Sequence, residues 1–141
     1  MKPRIFLDTN VFIYGFEYSN SNSAKIIALL NQGAFEAIIS ERVLRETTTY
    51  FKRYHTNELS GLFHRYLLTS CTIVRSEQIQ SALKKYKGMI KDKDLEQLAV
   101  TKELSIKYLI SYDRDFSVFE EYKTPKAFLK MMKIKEVSTD Y

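Results

Sequence analysis

Four short apolar runs punctuate this chain, and the stretches between them have helical period. The runs are Ile5–Leu7, 34–40 (AFEAIIS), Cys71–Val74 and Ile106–Ile110, and no hairpin turn joins any two of them. Antiparallel neighbours need only a tight turn, whereas parallel neighbours need a long crossover, usually a helix. The alternation therefore predicts an α/β fold. Its centre is a mostly parallel sheet of four or five strands, flanked by helices in a three-layer sandwich. With 141 residues there is room for one domain with a substantial core and not for two, so 1–141 is read as a single domain.

The helical segments carry recognisable ends. Val11–Glu17 is short, with Asn10 as its natural N-cap. Ala24, Ile27 and Leu30 follow a polar break, and Gly33 stands where a left-handed C′ residue belongs. From Glu41 to about Arg53 an apolar stripe runs through Val43, Leu44, Thr47, Tyr50, Phe51 and Tyr54. A further helix carries Leu59, Leu62, Phe63, Tyr66 and Leu67. Ser76 can cap a helix that Gly88 ends, and Asp92 can cap the next, through Leu98 to Leu104. Thr124-Pro125 is an N-cap followed by Pro at N1.

Several carboxylates stand where a purely structural account does not need them. Asp8 ends the first apolar run, and Asp113 and Asp115 follow the fourth, all at points where a buried strand releases the chain. In open parallel sheets that carboxyl edge is where sites are built. Each could also be an ordinary turn residue. Glu46 shares a helical face with Val43 and Tyr50, although it could reach solvent beside Arg42 or Arg45. Asp94 leans towards the face of Leu98, whereas Asp92 has an easy role as a cap.

Parallel strands would bring Asp8 and Asp113 to one edge, together with the helices bearing Glu46 and Asp94. Carboxylates crowded into one pocket repel, and desolvation adds to the cost of ionising them, unless a divalent cation neutralises the group. A set of oxygen donors without Cys or His points to Mg²⁺ or Mn²⁺. His55 and His64, the only histidines, lack paired ligand spacing.

Composition now bears on what such a pocket would act upon. Lys and Arg number 22 against 17 Asp and Glu, a net +5 that favours a polyanion such as nucleic acid. Phosphodiester hydrolysis joins both observations. The four glycines form no phosphate-binding loop. The single cysteine, Cys71, excludes an internal disulfide framework. No apolar run approaches the ~18 residues of a membrane span, so a cytoplasmic protein is expected.

The segments FLDTN, SERVLRE, DLEQLAVTKEL and YLISYDRDF, followed by TPKAFLKMM, together resemble the PIN domain family over nearly the whole chain. Within it the pattern resembles the VapC-type toxin ribonucleases and their archaeal relatives. The resemblance assigns the family's four acids to Asp8, Glu46, Asp94 and Asp113, with Asp115 matching an additional acid of some members. It implies Mg²⁺- or Mn²⁺-dependent cleavage of single-stranded RNA. Thr9, Asn10 and Ser111 would be polar support, the last where many relatives have Thr. It also implies a homodimer and, in many relatives, a small antitoxin protein that silences the site. Other members act in RNA processing or quality control without an antitoxin, and some keep only the fold.

A phosphoryl-transfer α/β protein also places Asp after its first strand, but Asp8-Thr9-Asn10 lacks the second acid of the dehalogenase pattern. Among the tyrosines, Tyr50, Tyr54, Tyr66 and Tyr86 fall at helical spacing and read as core or interface. Tyr112, next to Asp113, is the candidate for stacking on a base. The basic run 84–93 (KKYKGMIKDK) is either a solvated helix end or a strip that guides RNA towards Asp94.

Overall fold

In the computed structural model, which describes residues 2–139 and Tyr141, the four expected strands form one sheet with a short fifth. β1 (Arg4–Leu7), β2 (Glu36–Ser40), β3 (Cys71–Val74), β4 (Tyr108–Ile110) and β5 (Tyr122–Lys123) lie in the order β3-β2-β1-β4-β5. Every neighbouring pair is parallel. After an exposed first residue, β1 and β2 are buried in unbroken succession. Continuous burial means that both faces of the sheet are covered, which is why these runs do not alternate in polarity.

The covering layers are α1 (Thr9–Glu17), α2 (Asn22–Asn31), α3 (Glu41–Tyr54), α4 (Asn57–Ser70), α5 (Gln80–Tyr86), α6 (Asp92–Glu103) and α7 (Pro125–Met131). Ile5, Phe6, Leu7, Ile38, Ile39, Leu98 and Phe128 are among the core residues with no more than 1% of their surface exposed. Each such side chain contributes about 1.5–3 kcal/mol by leaving water.

Local details depart from the sequence reading in instructive ways. β2 begins at Glu36, because Ala34 is still closing α2 through its N–H to the Leu29 carbonyl, with Gly33 at φ +78°. Asp8 rather than Asn10 caps α1, accepting from the Thr9 N–H. Asp92 is the first residue of α6, whose N-cap is Lys91 with no side-chain bond. Ser76 opens a 3-10 turn (Ser76–Ile79) that delays α5 to Gln80. On α3 the buried stripe is Val43, Thr47 and Phe51, whereas Tyr54 is 63% exposed. β5 has two half-buried residues and no apolar run to announce it.

The topology locates the functional edge. The chain winds outwards from β1 through β2 to β3, then returns across β1 to build β4 and β5 on the other side. At β1 and β4 the winding reverses, and a crevice opens beyond their carboxyl ends. The pairing there runs as far as Leu7 with Ile110, and the Asp8 N–H donates to the Ile110 carbonyl at 3.0 Å.

Helices α1 and α2, which lead from this edge to β2, touch closely at Gly15. A Cβ there would stand 2.9 Å from Ile27 Cγ1 and 3.3 Å from the Ser23 carbonyl carbon and oxygen. Gly15→Ala gains about 1 kcal/mol of helix propensity and loses about 1–3 kcal/mol to overpacking. A net destabilisation on the order of 1 kcal/mol is expected in urea unfolding. A more stable variant would mean that α2 yields easily.

Candidate metal centre

Asp8 leaves β1 at the switch point and is only 5% exposed. Its Oδ1 accepts the Thr9 N–H at 2.8 Å and faces Gln97 Nε2 at 3.5 Å, while Oδ2 accepts from Ser111 Oγ at 2.7 Å. Burial pushes its carboxyl above the usual range; the bonds from Ser111, Thr9 and Gln97 work against this, and the negative charge of Glu46 adds to it.

Asp94 lies in the first turn of α6, and like Asp8 it is almost inaccessible, 4% exposed. Its carboxyl is pushed up to about 6, first by burial and then by the charge of Asp113, with Lys93 opposing. Among the described residues no group hydrogen-bonds its buried Oδ2. The Lys93 ammonium stands 3.9 Å from that oxygen, beyond hydrogen-bonding reach. Asp92, by contrast, points to solvent.

Asp113 caps the 3-10 turn that follows β4 (Arg114–Phe116), and Asp115 lies within it. The Asp113 carboxylate accepts the Asp115 N–H at 2.9 Å, and its other oxygen is 3.4 Å from Lys93 Nζ. Asp115 pairs with Lys91 at 3.3 Å. One carboxylate oxygen from each of Asp94, Asp113 and Asp115 lies within 4.8 Å of the others. Asp8 stands outside that trio but lines the same cavity, about 250 Å³ in volume, with Asp94, Asp113, Glu46, Thr9 and Asn10.

Glu46 reaches the cavity from α3. Thr9 Oγ1 donates to its Oε1 at 3.0 Å, and Arg42 Nε lies 3.4 Å from Oε2. Ser111 is wholly buried and joins two of the acids, donating to Asp8 and accepting the Asp113 N–H at 3.0 Å. Asn10 Oδ1 accepts the Tyr112 N–H at 3.4 Å. The Tyr112 ring packs between Tyr14 and Tyr141, centroids 5.2 and 5.6 Å away, so stacking on a base would require it to leave this cluster.

Gln97 escapes a reading of the sequence. It is 2% exposed, its amide faces Asp8, and its Oε1 has no hydrogen-bond partner among the described residues. The available signal is its spacing, three residues after Asp94 on the same helical face.

The residues suit a hard divalent cation. Three carboxylate oxygens converge and, among the described residues, one buried oxygen lacks a hydrogen bond and no sulfur or imidazole lines the cavity: His55 bonds Glu17, and His64 is exposed elsewhere. A larger cavity, about 710 Å³, borders the Lys102–Glu121 ion pair and contains no such convergence. Ser111→Ala should lower Mn²⁺ affinity about 10- to 100-fold, the usual cost of losing a group that orients ligands. Calorimetric titration checks this, and an unchanged affinity would remove Ser111 from the site.

The PIN domain family model matches residues 5–122. No curated protein sequence matches. Among solved structures, a toxin–antitoxin complex from Klebsiella pneumoniae contains a chain 21% identical with a TM-score of 0.67, covering 86% of this chain and 97% of that one. VapBC-1 from nontypeable Haemophilus influenzae gives 19% identity and a TM-score of 0.66, over 86% and 98%. Mycobacterium tuberculosis VapC20, a Sarcin-Ricin loop cleaving toxin, gives 19% and 0.61, over 81% and 93%. At these identities the likeness establishes the fold.

Proposed function

This chain belongs to the PIN domain family, and from that premise we propose that it is a Mg²⁺- or Mn²⁺-dependent endoribonuclease. It cleaves single-stranded RNA by water attack on the phosphodiester, as the toxin of a toxin–antitoxin pair. Residues 1–141 act as one nuclease domain. The observation that carries this reading is the convergence of Asp94, Asp113 and Asp115 beside buried Asp8, with an oxygen of Asp94 left without a hydrogen bond among the described residues.

Asp8, Asp94 and Asp113 would hold the cation, with Asp115 and Glu46 beside them. When bound, such an ion lowers the pKa of a water and stabilises charge on a phosphoryl oxygen. Ser111 and Gln97 hold Asp8 in a fixed orientation, so little reorganisation is needed. Glu46, kept in place by Thr9 and Arg42, faces the cavity and can orient the attacking water. Asn10 steadies the backbone at Tyr112 where the RNA would pass. The net charge of +5 draws in the polyanion.

The solved relatives support an antitoxin as partner. The Klebsiella and Haemophilus structures are toxin–antitoxin assemblies, and VapBC2 from Rickettsia felis is bound to a promoter DNA fragment. An apolar groove of about 360 Å³ lined by Phe12, Phe16, Leu62 and Phe63 offers surface for a partner, whether the antitoxin or a second copy in a homodimer. Among the described residues no helix is long and apolar enough to cross a membrane, in keeping with action in the cytoplasm.

The test is cleavage of varied single-stranded RNAs with Mn²⁺, comparing the parent with Asp8→Asn. The parent should cut and lose its activity in chelator, and the variant should be about a hundredfold slower or worse. Equal inertness of the two would end the enzyme reading.

A further inference from the structure

We propose that Lys93 is a built-in counter-ion of the acidic cavity, which a divalent cation must displace in order to bind; this rests on the metal-dependent reading above. The Lys93 ammonium lies 3.4 Å from Asp113 Oδ2 and 3.9 Å from Asp94 Oδ2. It thereby bridges two of the three converging carboxylates. Lys91 pairs with the third alone, 3.3 Å from Asp115 Oδ2.

Sequence adjacency does not explain this arrangement. Consecutive side chains on a helix do not face each other, so Lys93 has to bend back across the first turn of α6 to reach Asp94. What draws it there is the negative field of the cavity. Its hold is nonetheless loose. The side chain is 56% exposed, and Asp94 Oδ2 receives its charge without a hydrogen bond. A lysine has a long flexible stem, so the ammonium can withdraw to solvent at little cost.

The consequence is competition. An ammonium and a divalent cation compete for the same carboxylates, since charges of +1 and +2 at about 5 Å repel even in a water-like dielectric. Lys93 therefore offsets part of the negative charge of the metal-free cavity and weakens metal affinity. Metal entry is an exchange of one cation for another.

Mn²⁺ binding to the full chain without RNA, followed by the electron paramagnetic resonance signal of the free ion, tests this directly. Lys93→Met should bind roughly tenfold more tightly than the parent, and Lys93→Arg, which keeps the charge, no more tightly than the parent. Melting in chelator gives a readout without metal: Lys93→Met should melt a few degrees below the parent, because the acids lose their partner. Equal Mn²⁺ affinity of the parent and Lys93→Met, or parent-like melting in chelator, overturns the counter-ion role and leaves the metal reading standing. Absence of Mn²⁺ binding in all three proteins overturns the metal reading and the displacement with it.

Discussion

Replacing Asp94 with Asn is expected to slow RNA cleavage by about a hundredfold or more while making the metal-free protein more stable at neutral pH. The two effects have one cause. Asp94 is buried beside Asp113 and Asp8, and its carboxyl is pushed up to about 6 from an ordinary 3.8. The folded protein therefore holds this proton more tightly than the unfolded chain. The stabilisation from the protonated form is fully present below the unfolded pKa and is lost as pH rises through about 6. The Asp8 carboxyl is raised as well and acts in the same direction.

In chelator, the parent should thus melt at a lower temperature at pH 7.5 than at pH 5. Asn cannot ionise, so Asp94→Asn should flatten that dependence. Allowing for solvent screening at the cavity mouth, the gain at pH 7.5 is on the order of 1 kcal/mol, a few degrees in Tm. The same substitution leaves a cation with one carboxylate fewer. Cleavage within tenfold of the parent would remove Asp94 from the proposed metal site, and a pH dependence identical in the two proteins would show that its burial does not set the stability.

The largest stability effect is expected away from the cavity, at Asn22. This side chain begins α2, is wholly buried, and clamps the segment that follows α7. Its Nδ2 donates to the carbonyls of Val137 and Thr139 at 3.1 Å each, and its Oδ1 accepts the Val137 N–H at 2.6 Å. Asn22→Ala leaves these backbone groups without partners, a loss of about 2–4 kcal/mol, or roughly 10 °C in Tm. The Val137 amide should then exchange rapidly with solvent.

The effect should reach further along the same strap. The Ser23 N–H donates to the Tyr141 carbonyl, and the Tyr141 ring packs on Tyr14, Tyr18 and Tyr112. Tyr112 lies between Ser111 and Asp113, so loosening this cluster should also slow cleavage. An unfolding midpoint within about 0.5 kcal/mol of the parent, with Val137 still protected, would show that the clamp is dispensable.

How much of this can be read from residues alone depends on the range of the interaction involved. Asp8 and Asp113 are legible because each ends an apolar run, and the strand-to-helix transition is local. Asp94 is distinguishable from Asp92 by its spacing to Leu98, and the difference is large in the fold: one is buried, the other exposed. Asp115 is harder. In sequence it is an extra acid in a turn, yet it belongs to the closest trio of carboxylate oxygens. Gln97 is harder still, since a polar residue on an amphipathic helix normally faces water. Its burial follows from α6 crossing beside Asp8.

Residue order alone specifies the class of fold, the single parallel sheet and the edge at which carboxylates gather. These follow from the period of the apolar residues and from the absence of hairpin turns, which are properties of neighbours along the chain. The three-dimensional arrangement was needed to see that Asp94, Asp113 and Asp115 converge, that one oxygen of Asp94 has no hydrogen bond among the described residues, and that Lys93 and Lys91 lie against these acids. Electrostatic partnership depends on distances of a few ångströms between groups up to about a hundred residues apart, as from Asp8 to Ser111, and sequence order carries no record of those distances until the sheet has closed.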